Sequence, residues 1–535
     1  MRSLIWQQWR ESRALLALLM TWMLLATLHS VAYEIGHRFR APVGHFGMAA
    51  LFQATCAAIV LGMRASQGER AAGTLPFSAA LPVSIRRIAT ARIVCCATVL
   101  AIPILVGAVL LALALASGLV HQVEPRDELK YVPLQQRDTA PVATALEQLA
   151  GVTAISIVAG IELMLVVAAI GCRLRTPSRV GLVGAVLAFA SMSADAYCGV
   201  DDSHAMTQVL CGAVFPQSLM VFLGYSVEHG GYVDPVVASR CWIALMLATP
   251  ILILLGSLFV TQYGRLRSPA SDAKPTRHRF RMPSLWSHLP LHLPGRLAAL
   301  VWLDLRQSGP LVVAGLAFAL LITLATPRHS AGGVPVLAAL PHSACFVGML
   351  WAAVVGSAIY SAELESGLGG FWRSRPIATT SWFWCKFLVG LAAVLLVLDG
   401  VTIVATWYST TLTMQTGMSW TYVGTVPILH ALMYALAVLG TCWLRKPVVG
   451  AFVAILAYMI LNVAVGSFAS TYRLEPFMVY NSLLLSELAG TVDFTKHGYP
   501  LVYGTLAASV VILGAMASRL ATPLMPASGR WVTRR

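Results

Sequence analysis

The chain alternates between long apolar stretches and shorter polar segments. Most of the apolar stretches approach or exceed about 20 residues, the length that a helix needs to cross the hydrocarbon core of a bilayer. One further apolar segment, 205–226, is interrupted by Pro216 and Gln217, and we expect it to form a re-entrant or surface helix outside the membrane. The remaining pattern predicts twelve transmembrane helices, at 14–33, 47–63, 88–117, 149–172, 180–198, 236–263, 310–326, 343–362, 382–407, 424–443, 448–468 and 499–518.

The composition excludes a soluble protein. Of the 535 residues, 58% are hydrophobic and only 11% are charged, whereas soluble domains contain about 25% charged residues. So few charges are not enough to cover the surface of a soluble protein of this size. Disordered, collagen-like and coiled-coil classes are excluded for the same reason, which leaves a polytopic membrane protein.

The distribution of charge predicts how the chain is oriented. Basic residues in a membrane protein mark cytoplasmic loops, because Lys and Arg resist translocation. With the N-terminus inside, 28 of the 37 basic residues fall on the inner side, against 6 of the 22 acidic residues. We therefore expect both termini in the cytoplasm, and we read the net charge of +15 as a mark of orientation in the lipid bilayer, with no nucleic-acid partner. The preference for Arg over Lys is typical of a GC-rich bacterium, so the cytoplasmic (inner) membrane of a bacterium is the expected location.

Three short motifs of the first half recur in the same order in the second half. They are 4–12 with 300–308, Glu69-x-x-x-Gly73 with Glu365-x-x-x-Gly369, and 172–177 with 442–447. Recurrence in order predicts a duplicated unit of six spans, so the expected fold is all-α, with two homologous six-helix bundles. We place the first unit at 1–264 and the second at 296–535, joined by a basic, Pro-rich cytoplasmic linker at 265–295.

Residues 2–13 form a short amphipathic segment ahead of the first span. Ile5 and Trp9 share a helical face, and the segment carries three Arg residues. This pattern is typical of a helix that lies flat at the membrane interface, and its recurrence at 299–308 favours that reading over simple anchoring of the first span by Trp and Arg.

The segment between the second and third spans predicts a compact helical knob that faces the cytoplasm. Gly73 is suited to end the second helix, and Thr74 to cap a short helix that Pro82 would end. Ser84 is then placed to cap the third span. The knob would present three apolar side chains, Leu75, Phe77 and Leu81. In the second half, Glu365, Gly369 and Phe371 occupy the corresponding segment, and Pro376 would end that knob.

A Glu-x-x-x-Gly-Thr-Leu motif followed by Leu-Pro-x-Ser after the second span resembles the permeases of ABC-2 type transporters. The resemblance covers nearly the whole chain, as two fused permease halves. It implies that the knob is the coupling helix, and that residues 74–84 and 370–378 dock onto an ABC ATPase subunit. Two knobs imply two ATPase copies, although the second knob lacks the Thr-Leu and Leu-Pro-x-Ser portions. The alternative for Glu69 and Glu365 is a carboxylate paired with a nearby Arg at the membrane edge, and both readings can hold together.

The chain itself carries no motif for ATP chemistry. A phosphate-binding P-loop needs Gly-Lys followed by Ser or Thr, and none of the five Lys residues follows a Gly. HExxH and GxSxG are also absent from the sequence. We therefore expect no catalytic residue, metal or cofactor in this chain, and ATP to be bound by the partner subunit.

Two acidic residues lie within predicted spans, Glu162 in the fourth and Asp399 in the ninth. Charges inside the membrane are costly and commonly functional, so both are candidates to line a substrate path or bind a cation. The alternative is a structural carboxylate bonded to Ser or to backbone, and His430 receives the same structural reading. The first hypothesis is the permease of an ATP-driven exporter. An ion-coupled secondary transporter that uses Glu162 and Asp399, or a membrane anchor without transport, are the alternatives.

Overall fold

The computed structural model is all-helical wherever it describes the chain. The described residues are 2–37, 42–71, 83–121, 141–174, 180–181, 183–184, 186–188, 205–216, 219, 235–266, 296–325, 336–360, 379–404, 407, 420–445, 447, 449–458 and 499–521. The chain divides into two compact units, Met1–Thr276 and Arg277–Arg535.

The first unit contains helices α1 to α6. They are α1 (Arg2–His37), α2 (Pro42–Ala71), α3 (Ile85–Ala116), α4 (Val142–Gly171), α5 (Ala205–Val214) and α6 (Pro235–Leu266). The second unit contains α7 to α12. They are α7 (Arg296–Ala325), α8 (Val336–Ala358), α9 (Thr379–Ala393, continued by a π-helical turn, Val394–Asp399), α10 (Trp420–Leu444), α11 (Val449–Tyr458) and α12 (Tyr499–Ala521).

Within the described part of the chain, eight helices are long and apolar enough to cross a membrane. They are Ser12–Val31, Pro42–Glu69, Ile85–Ala116, Val142–Gly171, Ser239–Arg265, Thr380–Val404, Val426–Leu444 and Gly504–Ala521. Each coincides with a predicted span, so a multi-pass membrane protein is confirmed. The other four predicted spans, 180–198, 310–326, 343–362 and 448–468, are not among these eight.

The start of each unit differs from the sequence prediction. Helix α1 runs for 36 residues from Arg2 to His37, so residues 2–13 are its first turns and the prediction of a separate interfacial helix was wrong. The physical reason is that no Gly or Pro interrupts the chain before Gly36. Helix α7 likewise includes 299–308 and continues through Pro310.

The core of the first unit is a close crossing of α2 and α4, at which glycines allow the two backbones to approach. A Cβ atom at Gly62 would lie 2.7 Å from the carbonyl oxygen of Met164 and 2.9 Å from Cβ of Val167. A Cβ at Gly160 would lie 3.0 Å from Cβ of Ala54. A larger side chain at Gly62 would force the helices apart, and one at Gly160 would require its neighbours to shift slightly.

The second unit repeats this crossing between α8 and α10. A Cβ at Gly356 would lie 2.6 Å from the carbonyl oxygen of Tyr434 and 3.2 Å from Cβ of Ala437. Gly356 follows Gly62 by 294 positions, and Tyr434 follows Met164 by 270, the same separation that relates the 172–177 motif to 442–447. The two units therefore contain the same helix crossing at corresponding places in their sequences.

Helix α5 is only ten residues long, so it is too short to cross a bilayer. Gly212 brings it against α6, where an added Cβ would lie 3.2 Å from Cβ of Ala244. The helix ends two residues before Pro216, which is the residue that the sequence predicted would interrupt this apolar segment.

Candidate functional site

A buried ion pair links the helices on either side of the predicted knob. Glu69 lies near the C-terminal end of α2, and its Oε1 is 2.6 Å from Nη2 of Arg92 on α3. The side chains are only 12% and 6% exposed, so the pair is largely shielded from water. The second carboxylate oxygen, Oε2, accepts a hydrogen bond of 2.9 Å from the hydroxyl of Tyr263 on α6. We call Glu69, Arg92 and Tyr263 the clasp.

Arg92 makes two further contacts that close the clasp. Its Nη1 donates a 3.2 Å hydrogen bond to the carbonyl oxygen of Ala65, one turn before Glu69. Its guanidinium carbon also lies 5.5 Å from the ring centroid of Tyr263, within range of a cation–π interaction. Tyr263 thus contacts both members of the ion pair, and the clasp joins three helices.

The end of α4 is attached to the same region. Gln67 donates from Nε2 to the carbonyl oxygens of Gly171 and Leu174, the latter at 2.7 Å. The last carbonyls of a helix have no partner within the helix, so Gln67 supplies a donor that they lack. Arg173 then donates from Nε to Oε1 of Gln262 on α6, at 3.3 Å. Four helix ends of the first unit are therefore held together at one end of the bundle.

For Glu69, the alternative sequence reading, a carboxylate paired with an Arg, is confirmed. Ser84 precedes α3 at the N-cap position, but its side chain makes no capping hydrogen bond. Instead its backbone carbonyl accepts the N–H of Arg87 at 3.0 Å. The other residues predicted to form the knobs lie outside the described residues; they are Gly73, Thr74, Leu75, Phe77, Leu81 and Pro82 in the first half and Glu365, Gly369, Phe371 and Pro376 in the second.

The first unit also buries polar side chains within its predicted spans. Glu162 on α4 is 8% exposed, and its Oε2 has no hydrogen-bond partner among the described residues. Gln53 on α2 is 1% exposed, and neither polar atom of its amide has a partner there. The structural reading of Glu162 requires a bond to Ser or to backbone. Its Oε2 atom makes no such bond within the described part of the chain.

Asp399 is paired with His430, the residue to which sequence analysis gave only a structural reading. Oδ1 of Asp399 lies 2.6 Å from Nδ1 of His430, and both side chains are buried. Asp399 is the last residue of the π-helical turn. The sequence provides no signal for this pair, because the two residues are 31 positions apart on different helices and no motif marks a π-helical turn.

A second buried ion pair joins α7 and α9. Nζ of Lys386 lies 3.4 Å from Oδ1 of Asp304, and both side chains are fully buried. Lys386 also donates a 3.1 Å hydrogen bond to the carbonyl oxygen of Ile359. The rings of Tyr360 and Trp382 lie 5.8 Å and 5.5 Å from its ammonium group. The sequence does not reveal this pair, because Lys386 lies in a basic segment that marks orientation and Asp304 lies in the predicted interfacial helix at 299–308.

The contacts of Lys386 and Arg92 fix how the two units correspond in this region. Each residue donates to the backbone carbonyl 27 positions earlier in the chain. Lys386 follows Arg92 by 294 positions, as Gly356 follows Gly62, whereas the sequence motifs had suggested 296. Extended through the segment 361–378, which lies outside the described residues, a separation of 294 would pair Glu69 with Glu363, whereas the sequence motif pairs it with Glu365.

The described residues provide no group of three His, Cys, Asp or Glu side chains placed to hold a metal ion. What they provide instead is buried ion pairs, which can position helices or exchange protons. No model of a protein family matches the chain. No curated protein matches it either.

Proposed function

We propose that this chain is the membrane-spanning permease of an ATP-binding-cassette exporter, with twelve spans and both termini in the cytoplasm. Its energy would come from a separate ATPase subunit, in two copies. The observation that supports this most directly is the clasp, because Glu69 and Arg92 lie on the two helices that flank the predicted coupling knob. The proposal also rests on the resemblance of the knob sequence to ABC-2 type permeases.

The clasp has the geometry that a coupling device needs. Helix α2 ends at Ala71 and α3 begins at Ile85, so only a short segment separates the two halves of the ion pair. Removing one partner of a buried ion pair costs about 3–5 kcal/mol, because the other charge is left uncompensated, so we expect the pair to stay together when this region moves. A displacement of the segment between them would move both helices, together with α6 through Tyr263.

The second unit supports a related but unequal role for its own loop. Lys386 occupies the place of Arg92, yet its carboxylate partner is Asp304 on α7. The sequence of the second knob also departs from the first. We therefore expect the ATPase to bind the first knob more tightly than the second.

Co-purification with a tagged chain tests the partner directly. The expected result is an ATPase that is recovered with the wild type and reduced with Phe77→Asp or Leu81→Asp, because a charge placed in an apolar contact commonly costs several kcal/mol. Phe371→Asp should have a similar or weaker effect. Ser268→Asp is the control, since it adds the same charge to the predicted cytoplasmic linker. Full recovery with all three knob variants would reject docking at the knobs.

Two further measurements separate the proposal from its alternatives. Reporters fused after residue 280 and near residue 130 should read cytoplasmic and external, respectively, and the opposite reading at both positions would reject the twelve-span arrangement. In vesicles that contain the chain and its ATPase, transport should require ATP hydrolysis. Transport that needs only a proton gradient would favour the secondary transporter. If no transport occurs under any condition, the membrane anchor without transport would be favoured.

A further inference from the structure

The pair of Asp399 and His430 lies deep within the second unit. Asp399 is 3% exposed and His430 is 0% exposed. Both belong to helices that qualify as membrane spans, Thr380–Val404 and Val426–Leu444. Ionisable side chains in such segments are expensive, and they are found mainly where they pair with each other or carry ions and protons.

The pairing leaves one carboxylate oxygen unused. Oδ1 of Asp399 is 2.6 Å from Nδ1 of His430, so one hydrogen lies between these two atoms. When the carboxyl group is ionised, Nδ1 carries that hydrogen and donates it to Oδ1. Oδ2 is buried and has no hydrogen-bond partner among the described residues. A buried acceptor without a donor is destabilising. A proton needs only one oxygen atom and removes the buried negative charge, whereas Ca²⁺ or Mg²⁺ would require about six ligands.

The backbone at Asp399 is also unusual. The α-helical pattern of α9 widens to a π-helical turn over Val394–Asp399, and the N–H of Gly400 bonds to the carbonyl oxygen of Leu395. Single π-helical turns within α-helices are rare and occur frequently at functional sites. Asp399 is therefore presented from a part of the span that departs from regular α-helix.

Helix α8 provides the space for the imidazole ring. A Cβ atom at Gly348 would lie 2.2 Å from Cε1 and 2.4 Å from Nε2 of His430, so any added side chain there would force the ring to shift. The corresponding contact in the first unit is between Gly160 and Ala54. At this crossing, His430 stands where the first unit has Gly160, and Gly348 stands where it has Ala54. The first unit therefore has no histidine at the corresponding position.

Three other ionisable side chains on the surrounding helices have partners of their own. Asp304 and Lys386 pair with each other, and Tyr434 donates its hydroxyl to the carbonyl oxygen of Phe387 at 3.0 Å. None of the described ionisable groups on these elements bonds to Oδ2 of Asp399; the groups are Asp304, Arg306, Tyr360, Cys385, Lys386, Tyr434 and Cys442.

We propose that the second unit binds a proton at the Asp399–His430 pair inside the membrane. One proton from the aqueous phase forms an O–H bond with Oδ2, and the carboxylate becomes a neutral carboxylic acid, while Oδ1 continues to accept the hydrogen bond from His430. Uptake removes the negative charge from the π-helical turn, so the packing of α9 against α10 depends on pH. The site consists of residues of the second unit only, and its test does not depend on whether the chain binds an ATPase.

Infrared difference spectroscopy on the purified full-length chain in lipid nanodiscs tests the site, with the proton itself as the probe. As the pH is lowered, the wild type should gain the C=O absorption of a protonated carboxylic acid, and Asp399→Asn should lack that component. His430→Gln and Gly348→Ala should keep the component but move the pH at which it appears. Glu162→Gln and Gly400→Ala are matched controls, because neither removes the pair and a Cβ at Gly400 meets only an ordinary contact of 3.7 Å.

The outcomes separate a proton site from a structural pair. If Asp399→Asn does not fold, the comparison of Gly348→Ala with Gly400→Ala still decides, since both retain Asp399 and His430. Wild-type, Gly348→Ala and Gly400→Ala spectra that share one pH profile, with no component assignable to Asp399, would overturn the proposal. A profile that is displaced by Gly348→Ala and unchanged by Gly400→Ala would support it.

Discussion

Arg92 and Lys386 donate hydrogen bonds to the backbone carbonyls of Ala65 and Ile359, each 27 positions earlier in the chain. The two cations thus hold equivalent places in the two units. Their carboxylate partners differ, because Arg92 pairs with Glu69 on α2 and Lys386 pairs with Asp304 on α7. The position of the cation is common to both units, whereas the helix that carries its carboxylate partner differs.

Removing Arg92 should destabilise the first unit strongly. We expect Arg92→Ala to lower the free energy of unfolding by about 3–5 kcal/mol, because Glu69 would be left buried without its counter-charge. Tyr263→Phe removes one hydrogen bond and retains the ring, so a loss of about 1–2 kcal/mol is expected. Equilibrium unfolding in detergent, followed by helical circular dichroism, measures both.

Arg87→Ala is the control for this prediction. Arg87 is exposed and lies near the start of the same helix, and surface substitutions usually change stability by less than about 0.5 kcal/mol. An Arg92→Ala variant as stable as Arg87→Ala would show that the clasp contributes nothing to stability.

The Lys386–Asp304 pair should behave non-additively. Lys386→Met and Asp304→Leu each leave one fully buried charge without its counter-charge, which costs about 3–5 kcal/mol in other buried pairs. The double variant removes both charges and replaces them with apolar side chains of similar size, so it should be more stable than either single variant. A double-mutant cycle measures this coupling, and losses that simply add would contradict it.

The glycines at the two equivalent helix crossings should be equally intolerant of substitution. Gly62→Ala and Gly356→Ala would each place a Cβ atom within 2.7 Å of a backbone oxygen on the facing helix. Overpacking of this kind costs about 1–3 kcal/mol. Gly256→Ala and Gly504→Ala are matched controls, since nothing lies within 4 Å of a Cβ at either position. If all four variants unfold at the same temperature, the two crossings are not close contacts.

The spans were predictable from the sequence because their signal is local. A run of apolar residues predicts a span without knowledge of its neighbours, and eight predicted spans coincide with the long apolar helices described. The pairing of Glu69 with an Arg was also foreseen, because an Arg-rich segment follows it closely in the chain.

The buried pairs of the second unit were not predictable in the same way. Asp399 and His430 are brought together only by the packing of α9 against α10, and a sequence motif does not record such a contact. The register of the repeat is ambiguous in the sequence for a related reason. A Glu-x-x-x-Gly pattern occurs twice in this segment, at 363–367 and 365–369, and only the contacts of neighbouring residues distinguish them.

A separation of 294 makes a specific prediction for the second half. Counting from Ile359, which corresponds to Ala65, Glu363 takes the sequence position of Glu69. We therefore expect Glu363→Gln to reproduce the effect of Glu69→Gln, both on thermal stability and on recovery of the ATPase, although more weakly because the second knob departs from the motif. The loss of stability should be on the order of 1–3 kcal/mol, the usual range for a hydrogen bond to a charged group.

Glu365→Gln is the matched control, since it makes the same chemical change two positions away. It should alter unfolding by less than about 0.5 kcal/mol, because at a separation of 294 its counterpart is Ala71, which carries no charge. Parallel thermal unfolding of the three Gln variants, each with a pulldown of the ATPase, distinguishes the two registers. The counterpart of Glu69 is the carboxylate whose loss lowers stability and ATPase recovery. A strong effect of Glu365→Gln together with a neutral Glu363→Gln would therefore favour a separation of 296 and would place the second motif at Glu365 and Gly369.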